Sequence, residues 1–318
     1  MTNTDHPCRK IVCVVNPNSA NGHTGRHWAE MQAALQKALG DFETRFTEYG
    51  GHASELTRQA IAEGADLIVS VGGDGTLNEV VNGYFDEDGN SASDRCALGI
   101  IPRGTGGDFR KTFGFSTDLQ EAVDRLKVCN TTMVDVGLMD AMDLHNKPVQ
   151  RYFVNILSFG MSGLVDHLCN TTTKALGGKA SFLMATMRAL WQWKNAKVRI
   201  TLDHDTVIEP TIQTASIANG RYFGGGMMMA PVADVTDGIF DVVIMEDFTR
   251  LETITRGAAV YKGEHINDPK VSSYRASHIT AEAVDPGGPP VRLDMDGETP
   301  GQLPITVQVV PRSLRLVV

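Results

Sequence analysis

The feature that most constrains this chain is an abrupt change of pattern at Gly72-Gly73-Asp74-Gly75. An apolar run over residues 66–71 stops at the first two glycines, and apolar side chains then recur at helical spacing from Leu77 onward. The pattern predicts a strand, a tight turn that carries one carboxylate, and a helix. Glycines let the backbone approach a phosphate closely, and a helix start adds unpaired N–H groups. We interpret the turn as a phosphate-binding loop whose acid handles Mg²⁺ or a proton; a tight turn capped by Asp74 is the alternative.

Two similar turn-rich segments follow apolar runs in the first 130 residues. Residues 16–22 follow the run at 11–15, and residues 103–108 follow the run at 97–101. Strands that alternate with helices at this spacing predict a doubly wound, mostly parallel α/β sheet, with ligands bound beyond the carboxyl ends of the strands. Because all three turn-rich segments follow strands, we expect them to converge at one edge of that sheet.

The pattern changes after about residue 130. Strand-like runs, several of them alternating in polarity, occupy residues 133–140, 152–159, 197–202, 212–219, 240–245, 278–283, 291–296 and 306–310. They predict a predominantly antiparallel β-sandwich. We therefore expect a nucleotide-binding α/β domain over residues 1–132 and a β-rich substrate domain over residues 133–313. A final strand at 314–318 could return to the first domain.

Composition excludes several classes of function. The formal net charge of −9 argues against a nucleic-acid partner, and no apolar run approaches the ~20 residues that span a bilayer. The five cysteines show no CxxC spacing, which is typical of a reduced, cytosolic protein. Zinc-site, hydrolase-elbow and P-loop motifs are absent from the sequence.

One stretch reverses the overall charge. Between Asn170 and Ile200 the chain carries six basic residues and no acid, together with Trp191 and Trp193. A basic helix with tryptophan can lie on an anionic membrane surface, so the segment 174–199 is a candidate for peripheral membrane contact. The alternative is a helix that packs its apolar side on the second domain and solvates its basic side chains.

Carboxylates mark two further candidate sites. Glu298 ends the sequence Asp294-Met295-Asp296-Gly297-Glu298, where a tight turn could hold an acid near Asp74 for proton transfer during phosphoryl transfer. A solvated hairpin tip is the alternative. Asp234 and Asp237 could bind a hard cation, although a plain Asx-turn between strands fits the same residues.

Taken in order, five motifs resemble one known family. Residues 16–19, 72–80, 99–106, 155–163 and 296–298 together resemble the diacylglycerol kinase/sphingosine kinase superfamily, above all its small bacterial members. The resemblance runs from about residue 10 to the end of the chain. It implies transfer of phosphate from ATP to a lipid hydroxyl, a nucleotide on the N-terminal α/β domain, and a β-rich C-terminal domain at the lipid cleft.

The resemblance also assigns residues. It places the nucleotide at Asn16, Pro17, Asn18, Ser19, Ala20, Thr47, Gly72, Gly73, Asp74, Gly75, Thr76, Leu77, Asn78 and Thr105. Glu298 matches the family's general base, and Asp74 matches the acid of its signature turn. A structural Mg²⁺ would map to Asp237 with backbone oxygens of Asp234 and Ile239, and Asp108 and Asp135 resemble acids that link this ion to the active site.

Two positions depart from the family pattern. Gly107 stands where the family usually has asparagine, which removes an amide from the nucleotide loop, and Ala20 stands where a glycine is common. Neither departure changes Asp74 or Glu298.

The sequence thus predicts an enzyme, a lipid kinase that uses ATP and Mg²⁺. Its acceptor would be a lipid alcohol, with diacylglycerol or a related glycerolipid as the first candidate. The alternatives are an NAD kinase-like phosphotransferase and a non-catalytic nucleotide- or lipid-binding protein on a kinase scaffold. We expect a cytoplasmic protein that could lie peripherally at the inner face of the membrane, and the sequence leaves a homodimer open.

Overall fold

The chain forms two compact units in a computed structural model. The structure describes residues 7–86, 88–104, 106–171, 178–285 and 287–318. The first unit comprises Met1–Asp135 and Arg312–Val318, and the second comprises Val136–Pro311. The division falls within a long strand that runs past the expected boundary at 132/133.

The first unit alternates strands and helices. Its strands are β1 (Ile11–Val15), β2 (Glu43–Phe46), β3 (Leu67–Gly72) and β4 (Ala97–Pro102). Its helices are α1 (Ser19–Arg26), α2 (Trp28–Leu39), α3 (His52–Ala62), α4 (Asp74–Asn82), α5 (Phe109–Thr112) and α6 (Leu119–Val128). The strand β5 (Thr131–Met142) begins in this unit.

The sheet of the first unit is parallel throughout the described pairings. Strand β1 lies between β2 and β3, and β3 pairs with β4. The chain's last strand adds to β4 in parallel, with Leu316 opposite Leu98. Every residue of β1, β3 and β4 is buried, as expected of strands covered by helices on both faces. The α/β class predicted for this region is confirmed.

The second unit is built mainly of antiparallel strands. These strands are β6 (Pro148–Phe153), β7 (Ile156–Gly160), β8 (Ala196–Leu202), β9 (Thr206–Ile208), β10 (Thr211–Ala218), β11 (Tyr222–Phe223), β12 (Met227–Met228), β13 (Phe240–Glu246), β14 (Val271–Ala276), β15 (His278–Ala283), β16 (Leu293–Met295) and β17 (Gln302–Val317). Its described helices are α7 (Met161–Thr171), α8 (Gly178–Gln192) and α9 (Arg250–Lys262).

Strand β10 is central to this unit. It pairs antiparallel with β13, β7 and β8, while β15 joins β8 to β17 and β16 adds to β7. Buried aromatic rings of Phe153, Phe159 and Phe240 lie in the core that these strands enclose. The predicted antiparallel C-terminal domain is confirmed.

Several element boundaries differ from the sequence expectation. Residues 152–159 form two strands rather than one, because the carbonyl of Asn155 accepts the N–H groups of Asn219 and Gly220, each at 2.9 Å, and the ladder is interrupted there. Conversely, the two strands expected at 306–310 and 314–318 form the single strand β17, which ends at Val317. The basic segment 174–199 combines the helix α8 with the start of β8, and residues 174–177 lie outside the described residues.

Two general findings complete the fold. Among the described residues no helix is long and apolar enough to cross a membrane. The five cysteines all lie within the described residues, and none of them is in a disulfide there.

Candidate active site

Asn16 joins the first turn-rich segment to the helix α4. Its backbone N–H donates to the carbonyl of Val71 at 3.0 Å, and its side-chain Nδ2 donates to Thr76 Oγ1 at 3.0 Å. Its Oδ1 accepts the N–H of Asn18 at 3.0 Å. An asparagine at the end of β1 therefore fixes both the loop that follows it and the first turn of α4.

The segment after Asn16 has an unusual backbone. Ala20, Asn21 and Gly22 adopt positive φ angles of 51°, 56° and 75° inside α1. The preceding Ser19 hydroxyl donates to the carbonyl of Asn16 at 2.9 Å and lies 2.6 Å from Thr24 Oγ1. The left-handed conformation at Ala20 suits a glycine, the residue that the sequence resemblance leads us to expect there, since a Cβ disfavours this region.

The second and third turn-rich segments touch through backbone atoms. A Cβ placed on Gly104 would lie 2.5 Å from the Cα of Gly73, a separation that no real side chain tolerates. The N–H of Arg103 also donates to the carbonyl of Gly72 at 2.6 Å. The predicted convergence of the segments 16–22, 72–76 and 103–108 is thus confirmed within the first unit.

The carboxylate of Asp74 is the bridge between these segments. The N–H of Asp108 donates to both of its oxygens at 3.0 Å, and the N–H of Phe109 donates to Oδ1 at 3.4 Å. Burial, and next the nearby Asp108 carboxylate, raise the pKa of Asp74, while the backbone donors oppose that rise. Asp108 itself accepts a hydrogen bond from Lys111 Nζ at 2.6 Å. Asp74 therefore faces the turn at 107–109, a contact that its place at the tip of a phosphate loop did not predict.

Gly107 lies in this turn with a φ of 58°. Glycine and asparagine are the residues that enter the left-handed region most readily. The exchange of the family's asparagine for Gly107 therefore preserves the backbone conformation and removes only the side-chain amide.

The remaining predicted nucleotide residues lie around the same edge. Thr47 is buried directly after β2, and its N–H donates to the carbonyl of Val15 at 2.9 Å. Thr76, Leu77 and Asn78 are buried in the first turns of α4, so their side chains face the protein interior. Thr105 lies outside the described residues.

Glu298 lies on a two-residue hairpin in the second unit. The N–H of Met295 donates to the carbonyl of Glu298 at 2.8 Å, and the N–H of Glu298 donates back at 3.0 Å. The turn residues Asp296 and Gly297 have φ angles of 51° and 87°. The carboxylate of the buried Asp296 accepts the N–H groups of Val154 and Ile156 at 3.2 and 3.0 Å, while Glu298 itself is exposed. Because Asp74 belongs to the first unit, the encounter of these two acids stays a prediction.

Sequence reasoning missed two carboxylates below this hairpin. Asp294 Oδ1 accepts the N–H of Gly297 at 3.2 Å, and Asp166 Oδ2 accepts the hydroxyl of Thr299 at 3.1 Å. Burial, and next the Asp166 carboxylate, raise the pKa of Asp294 well above its usual range. Asp294 belongs to the sequence that ends at Glu298, but nothing local to Asp166 marks it, since Thr299 lies 133 positions further along the chain.

The candidate metal residues have protein partners. Asp234 Oδ1 accepts the N–H and hydroxyl of Thr236 at 3.0 and 2.7 Å, which is an Asx-turn. The carboxylate of Asp237 accepts the N–H of Ile239 at 3.2 Å and pairs with the Arg275 guanidinium. The described residues contain no group of three or more His, Cys, Asp or Glu side chains that could hold a metal.

Asp108 and Asp135 were expected to link that ion to the active site. Both are buried in the first unit, where Asp135 Oδ1 accepts the N–H of Arg312 at 2.7 Å. The candidate metal ligands Asp234, Asp237 and Ile239 belong to the second unit, so the proposed link stays a prediction.

Comparison with known families assigns both parts of the chain. Residues 10–139 match the diacylglycerol kinase catalytic domain, and residues 155–318 match the YegS C-terminal NAD kinase beta sandwich-like domain. The chain belongs to the diacylglycerol kinase family. The family recognised from the sequence motifs is thereby confirmed, and the protein is a lipid kinase.

Relatives of this lipid kinase are similar over nearly their whole length. A diacylglycerol kinase from Staphylococcus haemolyticus is 30% identical over 310 residues, which cover 97% of this chain and 87% of the relative. A diacylglycerol kinase from Bacillus subtilis is 27% identical over 297 residues, which cover 93% of this chain and 92% of the relative.

Solved structures share the fold of this lipid kinase. A crystal structure of a diacylglycerol kinase from Bacillus anthracis matches with a TM-score of 0.70 at 21% identity, over 98% of this chain and 97% of that one. Yeast NADH kinase, solved with NADH, matches with a TM-score of 0.54 at 12% identity, over 97% of this chain and 82% of the yeast protein. At these identities both likenesses concern the fold alone.

Proposed function

We propose that this protein transfers the γ-phosphate of ATP to the free hydroxyl of diacylglycerol. The observation that carries the proposal is the Asp74 bridge, which holds the glycine turn after β3 against the turn at 107–109. Glycine turns and a helix start at one sheet edge present N–H groups that suit an anionic phosphate chain. The names of the relatives indicate diacylglycerol, and their family implies ATP.

The nucleotide would bind at the carboxyl edge of the parallel sheet. The loop from Asn16 to Ala20 and the turn from Gly72 to Asn78 would surround its phosphates, with Thr47 and Thr105 beside it. The side chains of Thr76, Leu77 and Asn78 are buried, and the N–H of Leu77 already donates to the carbonyl of Gly73 at 3.0 Å. We therefore assign the phosphate contacts of this turn to the N–H groups that precede Leu77, which have no acceptor within α4. Mg²⁺ carried by ATP would offset charge on the transferring phosphoryl group.

Glu298 would accept the proton of the lipid hydroxyl. The hairpin exposes its side chain, and a general base must reach within hydrogen-bond distance of the proton that it removes. Asp74 would contribute mainly by ordering the nucleotide loops, because its oxygens already accept backbone N–H groups.

A structural Mg²⁺ at Asp237, with the backbone oxygens of Asp234 and Ile239, stays part of this proposal. Oxygen donors of this type suit a hard cation. The ion would have to replace the Arg275 guanidinium beside Asp237, so we assign it no step in the reaction.

Contact with a membrane would bring the enzyme to its substrate. Large apolar side chains are exposed along α8, spaced by four residues at Leu183 (63% exposed), Met187 (45%) and Trp191 (66%). On the neighbouring α9, Leu251 (70%) and Ile254 (61%) are also exposed. The basic side chains of Arg188 and Lys194 beside them are exposed too. Such a surface suits insertion among anionic headgroups at the cytoplasmic face; a homodimer remains a separate prediction.

Arg250 holds the two helices together. It donates to the carbonyls of Leu190 and Trp191 at 3.1 and 2.8 Å, and its guanidinium lies 5.0 Å from the centre of the Trp191 ring. The end of α8 and the start of α9 are therefore fixed to each other, and both helices expose apolar side chains.

Transfer of labelled phosphate to lipid alcohols tests the proposal. Purified protein, labelled ATP and Mg²⁺ are incubated with mixed micelles of diacylglycerol, phosphatidylglycerol or a sphingoid base, and with NAD in a separate reaction. We expect label in diacylglycerol and its loss in Glu298→Gln. Glu264→Gln is the matched control, because Glu264 is an exposed glutamate of the same unit. Label in NAD would favour the NAD kinase alternative, and ATP binding without any product would favour a non-catalytic protein.

A further inference from the structure

The two residues that flank Glu298 in the chain, Gly297 and Thr299, each donate a hydrogen bond to an aspartate. Gly297 donates its N–H to Asp294, and Thr299 donates its hydroxyl to Asp166. Asp294 lies on β16, whereas Asp166 lies on α7. Two elements therefore fix the backbone immediately before and after the exposed carboxylate.

The close approach of α7 to β16 makes this arrangement possible. A Cβ on Gly163 would lie 2.1 Å from the carbonyl oxygen of Arg292, so a side chain at this position of α7 would push the helix away. Asp166 follows Gly163 by three residues, on the same side of the helix. The glycine thus places Asp166 next to Asp294 and below Thr299.

Asp294 has a second fixed partner. The hydroxyl oxygen of Ser158, on β7, lies 3.3 Å from Asp294 Oδ2 and 2.9 Å from Ser162 Oγ, and its single proton is donated within this group. Since β7 pairs with β16 in register, with Ser158 opposite Asp294, the carboxyl group has little freedom to rotate. Its Oδ1 is therefore held toward the Gly297 N–H.

We infer that Asp294 and Asp166 are positioning residues for phosphoryl transfer, which hold the hairpin so that Glu298 meets the lipid hydroxyl. The inference rests on the proposed function, in which Glu298 is the general base. Neither aspartate is assigned a contact with the substrate. A base displaced by about 1 Å can lose about 100-fold in rate, so fixing its backbone has a direct catalytic consequence.

The two carboxyl groups act as a pair. Burial and the Asp166 charge raise the pKa of Asp294, so Asp294 retains its proton above the pH at which an ordinary carboxyl ionises. The charge of Asp296 also raises the pKa of Asp294. The basic groups nearby are Arg292 and His167. Burial, and next the charge of Arg292, lower the pKa of His167. A proton on Asp294 removes the repulsion that its charge and the charge of Asp166 would otherwise exert on each other.

This arrangement makes the hairpin sensitive to rising pH. The unfolded carboxyl releases its proton at its ordinary pKa, whereas the native one releases it at a higher pH. The stability of the native site is therefore complete below the ordinary pKa and declines as the pH rises toward the raised value. Loss of the proton would separate Asp294 from Asp166 and loosen the hairpin.

Four variants test the inference in the phosphate-transfer assay. Asp294→Ala and Thr299→Val should lower kcat by about 10- to 100-fold and leave the KM for ATP within about twofold. Asp294→Asn and Thr299→Ser should keep kcat within about threefold, because an amide oxygen still accepts the Gly297 N–H and a serine hydroxyl still reaches Asp166.

The pH profile gives an independent readout. Wild type should lose kcat as the pH rises toward the raised pKa of Asp294, whereas Asp294→Asn should not, since its amide has no proton to release in this range. A merely structural role would lower the folded fraction of Asp294→Ala without separating kcat from KM. It would also leave Asp294→Asn with the same loss of kcat at rising pH as wild type.

Distinct results overturn the two proposals. If Asp294→Ala and Thr299→Val turn over at the wild-type rate while Glu298→Gln is inactive, the positioning inference is wrong and the base assignment stands. If Glu298→Gln remains active, the base assignment fails, and the positioning inference fails with it. If Asp294→Ala does not fold, Thr299→Val and the pH profile of Asp294→Asn still decide the matter.

Discussion

The backbone N–H of Asp108 donates to both carboxylate oxygens of Asp74, at 3.0 Å each. This contact joins the turn that begins α4 to the turn that begins α5. It also directs the negative charge of Asp74 toward backbone N–H groups, where it would otherwise face a bound phosphate. An aspartate is thereby compatible with phosphate binding at the same edge, because its oxygens are turned toward N–H donors.

Replacement of Asp74 by asparagine removes the charge of this side chain and one of its two acceptor oxygens, while its size stays almost the same. An amide oxygen can accept one N–H, but the amide nitrogen would face the other donors and repel them. We expect a fall of about 1–3 kcal/mol in the free energy of unfolding, as for lost hydrogen bonds to a charged group, and a higher KM for ATP. Asp41→Asn, at an exposed position of the same unit, is the control for thermal melting and kinetics. An unchanged melting curve would show that the bridge does not stabilise the loops.

The contact between Gly73 and Gly104 leads to a second prediction. Gly104→Ala places a methyl group 2.5 Å from the Cα of Gly73, so the two turns must move apart. Forced overpacking of this kind costs about 1–3 kcal/mol, and we expect weaker ATP binding by calorimetry. Gly50→Ala is the matched control, since no heavy atom lies within 4 Å of its added Cβ. Equal ATP affinity in the two variants would mean that the close approach does not shape the nucleotide site.

Local patterns in the sequence were sufficient to identify the central turn and the family. The glycines, the buried apolar runs and the helix that starts at Asp74 are all visible within a few residues of one another. The partner of Asp74 is 34 positions away, and no rule of spacing could select a backbone N–H at that distance. The direction of this carboxylate therefore required the fold.

The second unit was harder to predict for the same reason. Alternating polarity predicts its antiparallel strands. The hydrogen bond from the Thr299 hydroxyl to Asp166, however, joins residues 133 positions apart. Nothing near Asp166 distinguishes it from an ordinary helical surface acid. The break at Asn155 was also missed, because it depends on hydrogen bonds from Asn219 and Gly220 that the apolar pattern of residues 152–159 does not reveal.

The Asp237 site gives a prediction that does not depend on activity. If Mg²⁺ binds there, millimolar Mg²⁺ should raise the melting temperature of the protein in the absence of ATP, because a ligand that binds only the native state stabilises it. Asp237→Asn should abolish that rise, and Asp285→Asn, on an exposed loop of the same unit, should retain it. A rise of equal size in both variants would place the ion elsewhere and leave Asp237 as the partner of Arg275.

The surface of α8 and α9 predicts binding to anionic vesicles. The exposed side chains of Leu183 and Trp191 lie two turns apart on α8, so both can enter the headgroup region when the helix lies flat. Burying even half of each side chain contributes about 1 kcal/mol, so the double variant Leu183→Ser/Trp191→Ser should bind about 10- to 30-fold more weakly.

Flotation with vesicles of phosphatidylglycerol and phosphatidylcholine measures this binding. Val128→Ser is the control, because Val128 is also 61% exposed but lies in the other unit. Equal flotation of the double variant and the control would exclude this surface as the membrane contact. If the double variant floats poorly yet phosphorylates diacylglycerol in detergent micelles at the wild-type rate, the surface serves recruitment and leaves the chemistry of Glu298 unaffected.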